Sequence, residues 1–164
     1  MEMIILEGNE CCFKSTVASK LNEKLDYPII KGSSFELAQC NNEELYKHFI
    51  EFAKNKNVIM DRFIYSNQVY ATLYKDYAIL TDTQRKSIEE MVFDKAKVYY
   101  LYAPDEVIKK RIKSRGDEYV ELDMVSKISE MYEQVMFQSG LKLRMLDTNE
   151  MTSDEIVEVI LADI

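Results

Sequence analysis

Gly8-Asn9-Glu10-Cys11-Cys12-Phe13-Lys14-Ser15-Thr16 follows the phosphate-loop pattern G-x-x-x-x-G-K-[ST] at every fixed position but one, where Phe13 replaces the second glycine. The chemistry of such a loop is anion binding. Backbone N–H groups converge at a helix N-terminus, and Phe13, Lys14, Ser15 and Thr16 supply them here. Lys14 adds a point charge for β- and γ-phosphate oxygens, and the Ser15 hydroxyl suits Mg2+. Losing the glycine removes conformational freedom at position 13, so Phe13 must keep an ordinary backbone conformation or carry strain. Cys11 and Cys12 read as small loop residues, sensitive to oxidation or alkylation near a helix N-terminus. A second set follows the apolar Val58-Ile59-Met60: Asp61 can hold Mg2+ directly or through water, and Arg62 can grip an acceptor phosphate through two N–H groups at once. Arg111 and Arg115, one helical turn apart, either form a solvated basic face with Lys109, Lys110 and Lys113 or carry positive charge over a transferring phosphoryl group.

These residues need elements to hold them. Residues 3–6 (MIIL) form a short apolar run that suits a strand buried on both faces. Val17, Ala18, Leu21 and Leu25 then recur at helical spacing, so the loop is predicted to join a strand to a helix, the context a phosphate loop requires. Further strands are predicted at 27–30, 58–60, 98–102 and 141–146. Helices are predicted at 37–53, 63–77, 82–94 and 121–139, with Gly140 as the C-terminal cap of the last. Another opens at Pro104 and ends at Gly116, and a final one is capped by Ser153. Strands alternating with helices predict a parallel sheet covered on both faces, with ligands outside the carboxyl ends of the strands.

Composition narrows the function. The 164 residues carry 21 basic and 29 acidic side chains, a net charge of −8, which argues against a broad duplex-binding surface but leaves room for a small anion in a local basic pocket. Three cysteines, two of them adjacent, make no disulfide framework or metal-type spacing. His48 is the single histidine, which removes Ser-His-Asp catalysis and multi-His metal sites; on a helix with Leu45 and Phe49 it reads as structural. No apolar run approaches ~18 residues, and no basic leader precedes the first strand, so a cytoplasmic protein without membrane or nucleic-acid partners is expected. One α/β domain over 1–164, without linker or repeat, is expected.

The motifs together resemble the thymidylate kinases. Their loops run E-G-x-[DE]-x-x-G-K-[ST]-T, matched by Glu7-Gly8-x-Glu10 and Lys14-Ser15-Thr16. Their D-R-[YF]-x-x-S-x-x-x-Y is matched by Asp61-Arg62-Phe63, Ser66 and Tyr70. The related deoxynucleoside kinases carry E-R-S-x-Y-S there. Arg111-x-x-x-Arg115-Gly116-Asp117-Glu118 resembles the arginine-bearing lid of both groups, placed at about 111–121. Leu146-Asp147-Thr148-Asn149 resembles the loop that contacts adenine. The resemblance implies a P-loop NTPase-type three-layer fold with a five-stranded parallel sheet, a short lid, ATP and Mg2+, and a possible homodimer. It implies catalytic roles for Lys14, Asp61, Arg62, Arg111 and Arg115, with Ser15 and Asp61 on the metal. Gly8, residues 11–16, Thr148 and Asn149 are expected on the donor nucleotide. Glu10 resembles the carboxylate that bonds the acceptor sugar. Phe35, Tyr65 and Tyr70 are expected to stack on its base, with Ser66 in the same motif and Glu36 in the place of a deoxynucleoside kinase base. The Arg-Glu-Pro-Gly segment of thymidylate kinases is absent after the second strand, where Lys31-Gly32-Ser33-Ser34-Phe35-Glu36 stands instead. The implied activity is phosphoryl transfer from ATP to a deoxynucleoside monophosphate, thymidylate first. The alternatives are a deoxynucleoside kinase acting on the 5′-hydroxyl and a weakly active nucleotide-binding module with a degenerate loop. Arg62 and Lys31 favour the first, Glu36 the second and Phe13 the third.

Overall fold

The computed structural model describes residues 2–32, 37, 39–116 and 121–164. Five strands, β1 (Met3–Glu7), β2 (Ile29–Lys31), β3 (Val58–Asp61), β4 (Ala96–Tyr102) and β5 (Lys142–Asp147), form one sheet in the order β2-β3-β1-β4-β5. All neighbours pair in parallel. The described helices are α1 (Lys14–Leu25), α2 (Asn42–Ala53), α3 (Ile64–Leu73), α4 (Asp82–Val92), α5 (Asp105–Arg115), α6 (Met124–Phe137) and α7 (Ser153–Asp163). Every residue of β1 is buried, as its uninterrupted apolar run predicts. Side chains alternate across the sheet. Met3 and Ile5 join a core with Phe49, Ile64, Val69, Ile88 and Tyr132, under α2, α3, α4 and α6. Ile4 and Leu6 join a second core with Val17, Leu21, Ile108 and Ile156, under α1, α5 and α7. β1 lies where the strand order reverses, and the crevice beyond its carboxyl end is where such sheets take ligands.

The helix starts fall into two kinds. α2, α4 and α7 open with reciprocal capping boxes, Asn41 with Glu44, Thr81 with Gln84 and Thr152 with Glu155. α1, α3, α5 and α6 have no side-chain bond from their own N-cap residue. Several predicted boundaries move for this reason. The helix expected from residue 37 starts at Asn42, because Asn41 caps it. Thr152, not Ser153, caps α7. Gly140 is no left-handed cap: α6 ends at Phe137 with Gln138 as its C-cap, and the Gly140 N–H donates to the Glu89 carboxylate at 3.1 Å. That carboxylate also pairs with buried Arg85 at 2.9 Å and accepts the Tyr65 hydroxyl at 2.8 Å, tying α3, α4 and the end of α6 together. No helix among the described residues is long and apolar enough to cross a membrane.

Candidate functional site

The chain leaves β1 through Gly8 at φ +147°, with an ideal Cβ only 2.1 Å from the Leu101 carbonyl oxygen, so no larger residue fits. The loop then turns through left-handed backbone at Cys11 (φ 53°) and Phe13 (φ 65°). Phe13 therefore carries the strain that the missing glycine would have avoided. Lys14 folds back under the loop, 7% exposed, and donates to the Asn9 carbonyl at 2.6 Å. The Asn9 side chain in turn donates to the Val125 carbonyl and to Ser129 Oγ, both at 3.0 Å, and accepts the Glu10 N–H at 2.8 Å. Burial, with Arg62 beside it, lowers the Lys14 ammonium from 10.5 to about 8. Residues 10–16 line a cradle of about 110 Å3 with Asp61, Arg62 and Arg115. Cys12 is buried with its thiol pushed up to about 11, so it is inert there, whereas Cys11 is half-buried with Sγ 3.5 Å from Arg115 Nη1.

The strand register Leu6↔Asp61 carries β3 to the same edge. Ser15 Oγ donates to Asp61 Oδ2 at 3.3 Å, bringing together the two residues expected at the metal. Arg62 follows in left-handed backbone (φ 72°), with its carbonyl pressed against Gly32, where a Cβ would stand 2.1 Å from that oxygen. The turn sends the Arg62 guanidinium to Glu10 at 2.5 Å and over the Tyr70 ring at 4.8 Å, and the Tyr70 hydroxyl donates to Glu10 at 3.4 Å. Burial pushes the Glu10 carboxyl up, but Arg62 and then Lys14 outweigh it and hold the group below its ordinary range.

Glu7, matched to the first position of the loop motif but given no role there, organises this corner. It is fully buried and accepts the N–H groups of Phe63 (2.8 Å) and Ser66 (3.2 Å), so it caps α3 from another strand. It also takes the hydroxyls of Ser66 and Tyr132. Burial raises its carboxyl above the usual value.

On the other side of the loop, Arg111 donates through Nη1 to the Cys11 carbonyl (3.1 Å) and Thr148 Oγ1 (2.8 Å), and through Nη2 to the Thr148 carbonyl (2.7 Å). Its guanidinium lies 4.4 Å from the centre of the Phe13 ring. Both line a cleft of about 480 Å3 that Arg115 and Asn149 also enclose.

The geometry thus gathers Gly8, Glu10, Cys11, Cys12, Phe13, Lys14, Ser15, Thr16, Asp61, Arg62, Tyr70, Arg111, Arg115, Thr148 and Asn149 along one edge. Tyr65 and Ser66 are corrections. Both are fully buried, with the Tyr65 hydroxyl spent on Glu89 and Ser139 and that of Ser66 on Glu7 and Tyr132, so neither meets a base. Phe35 and Glu36, and the lid stretch with Asp117 and Glu118, lie outside the described residues. Glu7 and Asn9 were missed as site residues. Glu7 stands at a fixed position of the loop motif with no role attached to it, and Asn9 stands at a variable one.

The family model described as thymidylate kinase matches residues 35–160. The chain belongs to the thymidylate kinase family. It is a nucleotide kinase by that membership. This thymidylate kinase relative is 55% identical over 161 residues to the SPbeta prophage-derived protein YorR of Bacillus subtilis (strain 168), spanning 98% of each chain. A crystal structure of YorR in complex with phosphorylated GDP superposes with a TM-score of 0.94 at 54% identity, over 98% of this chain and 94% of YorR. Two more distant thymidylate kinase-fold structures share the architecture. Deoxyadenosine kinase from M. mycoides with bound dCTP has a TM-score of 0.64 at 20% identity, over 98% and 97% of the two chains. Thymidylate kinase from Candida albicans has a TM-score of 0.64 at 19% identity, over 99% and 90%.

Proposed function

We propose that this kinase moves the γ-phosphoryl group of ATP to a deoxynucleoside monophosphate, with thymidylate the leading acceptor. The observation that carries the reading is the Arg62–Glu10–Tyr70 constellation: a guanidinium 16% exposed at its side chain, aimed by a left-handed turn and held beside a carboxylate and an aromatic ring. A monophosphate acceptor brings extra negative charge that must be neutralised, and a planar guanidinium suits two of its oxygens. Glu10 then turns to a sugar hydroxyl, and Tyr70 offers a face to the base.

Phosphoryl transfer asks for positioning and positive charge more than for covalent chemistry. The uncapped N-terminus of α1 and Lys14 bind the β- and γ-phosphates, while Arg111 and Arg115 face the donor from the other wall. Ser15 and Asp61 present hard oxygens, the donor type that suits Mg2+, and would hold it against the phosphates. Held there, Mg2+ would supply positive charge to offset the negative charge that develops in the transfer.

A coupled ADP-release assay tests the reading with dTMP, the other deoxynucleoside monophosphates and their parent nucleosides, with ATP and GTP as donors. The guanine arms are included because YorR, at 54% identity, was crystallised with phosphorylated GDP. Monophosphates should be phosphorylated and nucleosides ignored. Phosphorylation of thymidine or another nucleoside, with every monophosphate refused, makes the protein a deoxynucleoside kinase. No turnover with any acceptor, despite nucleotide binding, leaves the binding-module reading.

A further inference from the structure

Phe13 is the one residue of the loop whose presence the loop's own chemistry does not explain. A bulky side chain in left-handed backbone is an outlier, and backbone strain of this kind persists where the surroundings hold it for a purpose. Phe13 makes no side-chain hydrogen bond at the start of α1. Its ring instead lies 4.4 Å beneath the Arg111 guanidinium and lines both the phosphate cradle and the 480 Å3 cleft beside it. The edge of that guanidinium is already committed, to Cys11 on the phosphate loop and to Thr148 after β5. Three hydrogen bonds fix where the group sits in its own plane. An aromatic face packed on it fixes the tilt of that plane and keeps water from one side, where cation–π attraction also acts.

We propose that Phe13 is a positioning residue for Arg111, and that the aromatic ring does for the donor half of the site what a glycine at this place cannot. Phe13 and Arg111 form a stacked pair that joins the phosphate loop to the cleft, so the orientation of the arginine is set before a nucleotide arrives. The inference rests on reading the cleft as the donor side. It predicts an effect confined to the donor nucleotide, transmitted through Arg111 and dependent on an aromatic face.

Three variants test it, read with whichever acceptor the protein phosphorylates. Phe13→Gly should lower kcat/KM for the donor about tenfold, the size of a cation–π contact in a half-buried site, and leave the acceptor KM within about twofold. Phe13→Leu keeps apolar bulk without a π face and should lose as much, which guards against a Gly variant that folds poorly. Phe13→Trp should stay within about threefold of the parent. It also introduces a tryptophan into a chain that has none, so its fluorescence reports nucleotide binding with no acceptor present. In an Arg111→Ala background, Phe13→Gly should change donor kcat/KM by less than about twofold. Equal losses in both backgrounds, or a Leu or Gly variant with the parent's donor kcat/KM, overturns the proposal. Because the fluorescence titration needs no phosphoryl transfer, an incorrect acceptor assignment leaves this test intact.

Discussion

Raising the pH from 7 to 9 should strip the proton from Lys14 in the nucleotide-free protein and slow productive capture of the donor about tenfold. Displacement of its ammonium from 10.5 to about 8 corresponds to ~3 kcal/mol held against the charged form by burial and by Arg62. With that value the charged fraction falls from about nine-tenths at pH 7 to about one-tenth at pH 9. The donor kcat/KM reports the free enzyme and should break downward near pH 8, whereas kcat reports the bound complex and should stay level to higher pH, because phosphate oxygens favour the ammonium. Binding of nucleotide above pH 8 must then take up a proton. Calorimetric titrations with ADP at pH 8.5, in buffers of different ionisation enthalpy, should register that uptake. Neighbouring groups do not compete for the assignment: Tyr70 lies at about 12 and Cys12 at about 11. A Cys11→Ser control removes the half-buried thiol and should keep the break. A donor kcat/KM level from pH 7 to 9.5, or calorimetry with no proton uptake at pH 8.5, refutes the reasoning.

Arg62→Ala should lower kcat/KM for the acceptor by ~30-fold to several thousand-fold (~2–5 kcal/mol) while donor binding, followed by titration with ADP, is unchanged; Arg62→Lys should recover only part of the loss. Gly8→Ala drives a Cβ onto the Leu101 carbonyl and should cost ~3 kcal/mol or more, read as a fall in Tm; a variant as stable as the parent contradicts the close approach. Glu7→Ala leaves the Phe63 and Ser66 N–H groups without their buried partner and should cost ~3 kcal/mol in denaturant unfolding, against ~1 kcal/mol for Glu7→Gln, which can still accept both. Glu89→Ala strands the buried Arg85 charge and should cost ~3–5 kcal/mol by the same measurement.

The order of strands and helices was legible because buried parallel strands are short unbroken apolar runs and the helices between them keep their period. The loop between β1 and α1 was legible because its residue types stand at fixed spacing between a strand and a helix. Side-chain direction within a motif was not. Tyr65 and Tyr70 sit in one motif, yet at 3.6 residues per turn they lie about 140° apart on α3. Tyr65 shares the core face with Val69, and Tyr70 turns to Arg62. Arg62 gave no signal of its left-handed backbone, which depends on Gly32 thirty residues earlier in the chain and one strand away. The role of Glu7 was unreadable for a related reason. Its partners are 56 and 59 residues on and become neighbours only when Leu6 pairs with Asp61.

The capping pattern carries a consequence for anyone who would stabilise this protein. α2, α4 and α7 consume their own terminal amides, so improving them further gains little and touches nothing that reacts. The N-cap residue of α1 leaves its amides without a side-chain partner at the cradle, where the proposed function gives them to the phosphates. A substitution that placed a side-chain oxygen over those amides would compete with the phosphates that the proposed function assigns to them. On the proposed function, helix ends in this fold are thus divided between those reserved for the chain and one left to its ligands, and an engineer who capped every helix alike would close that one with the rest.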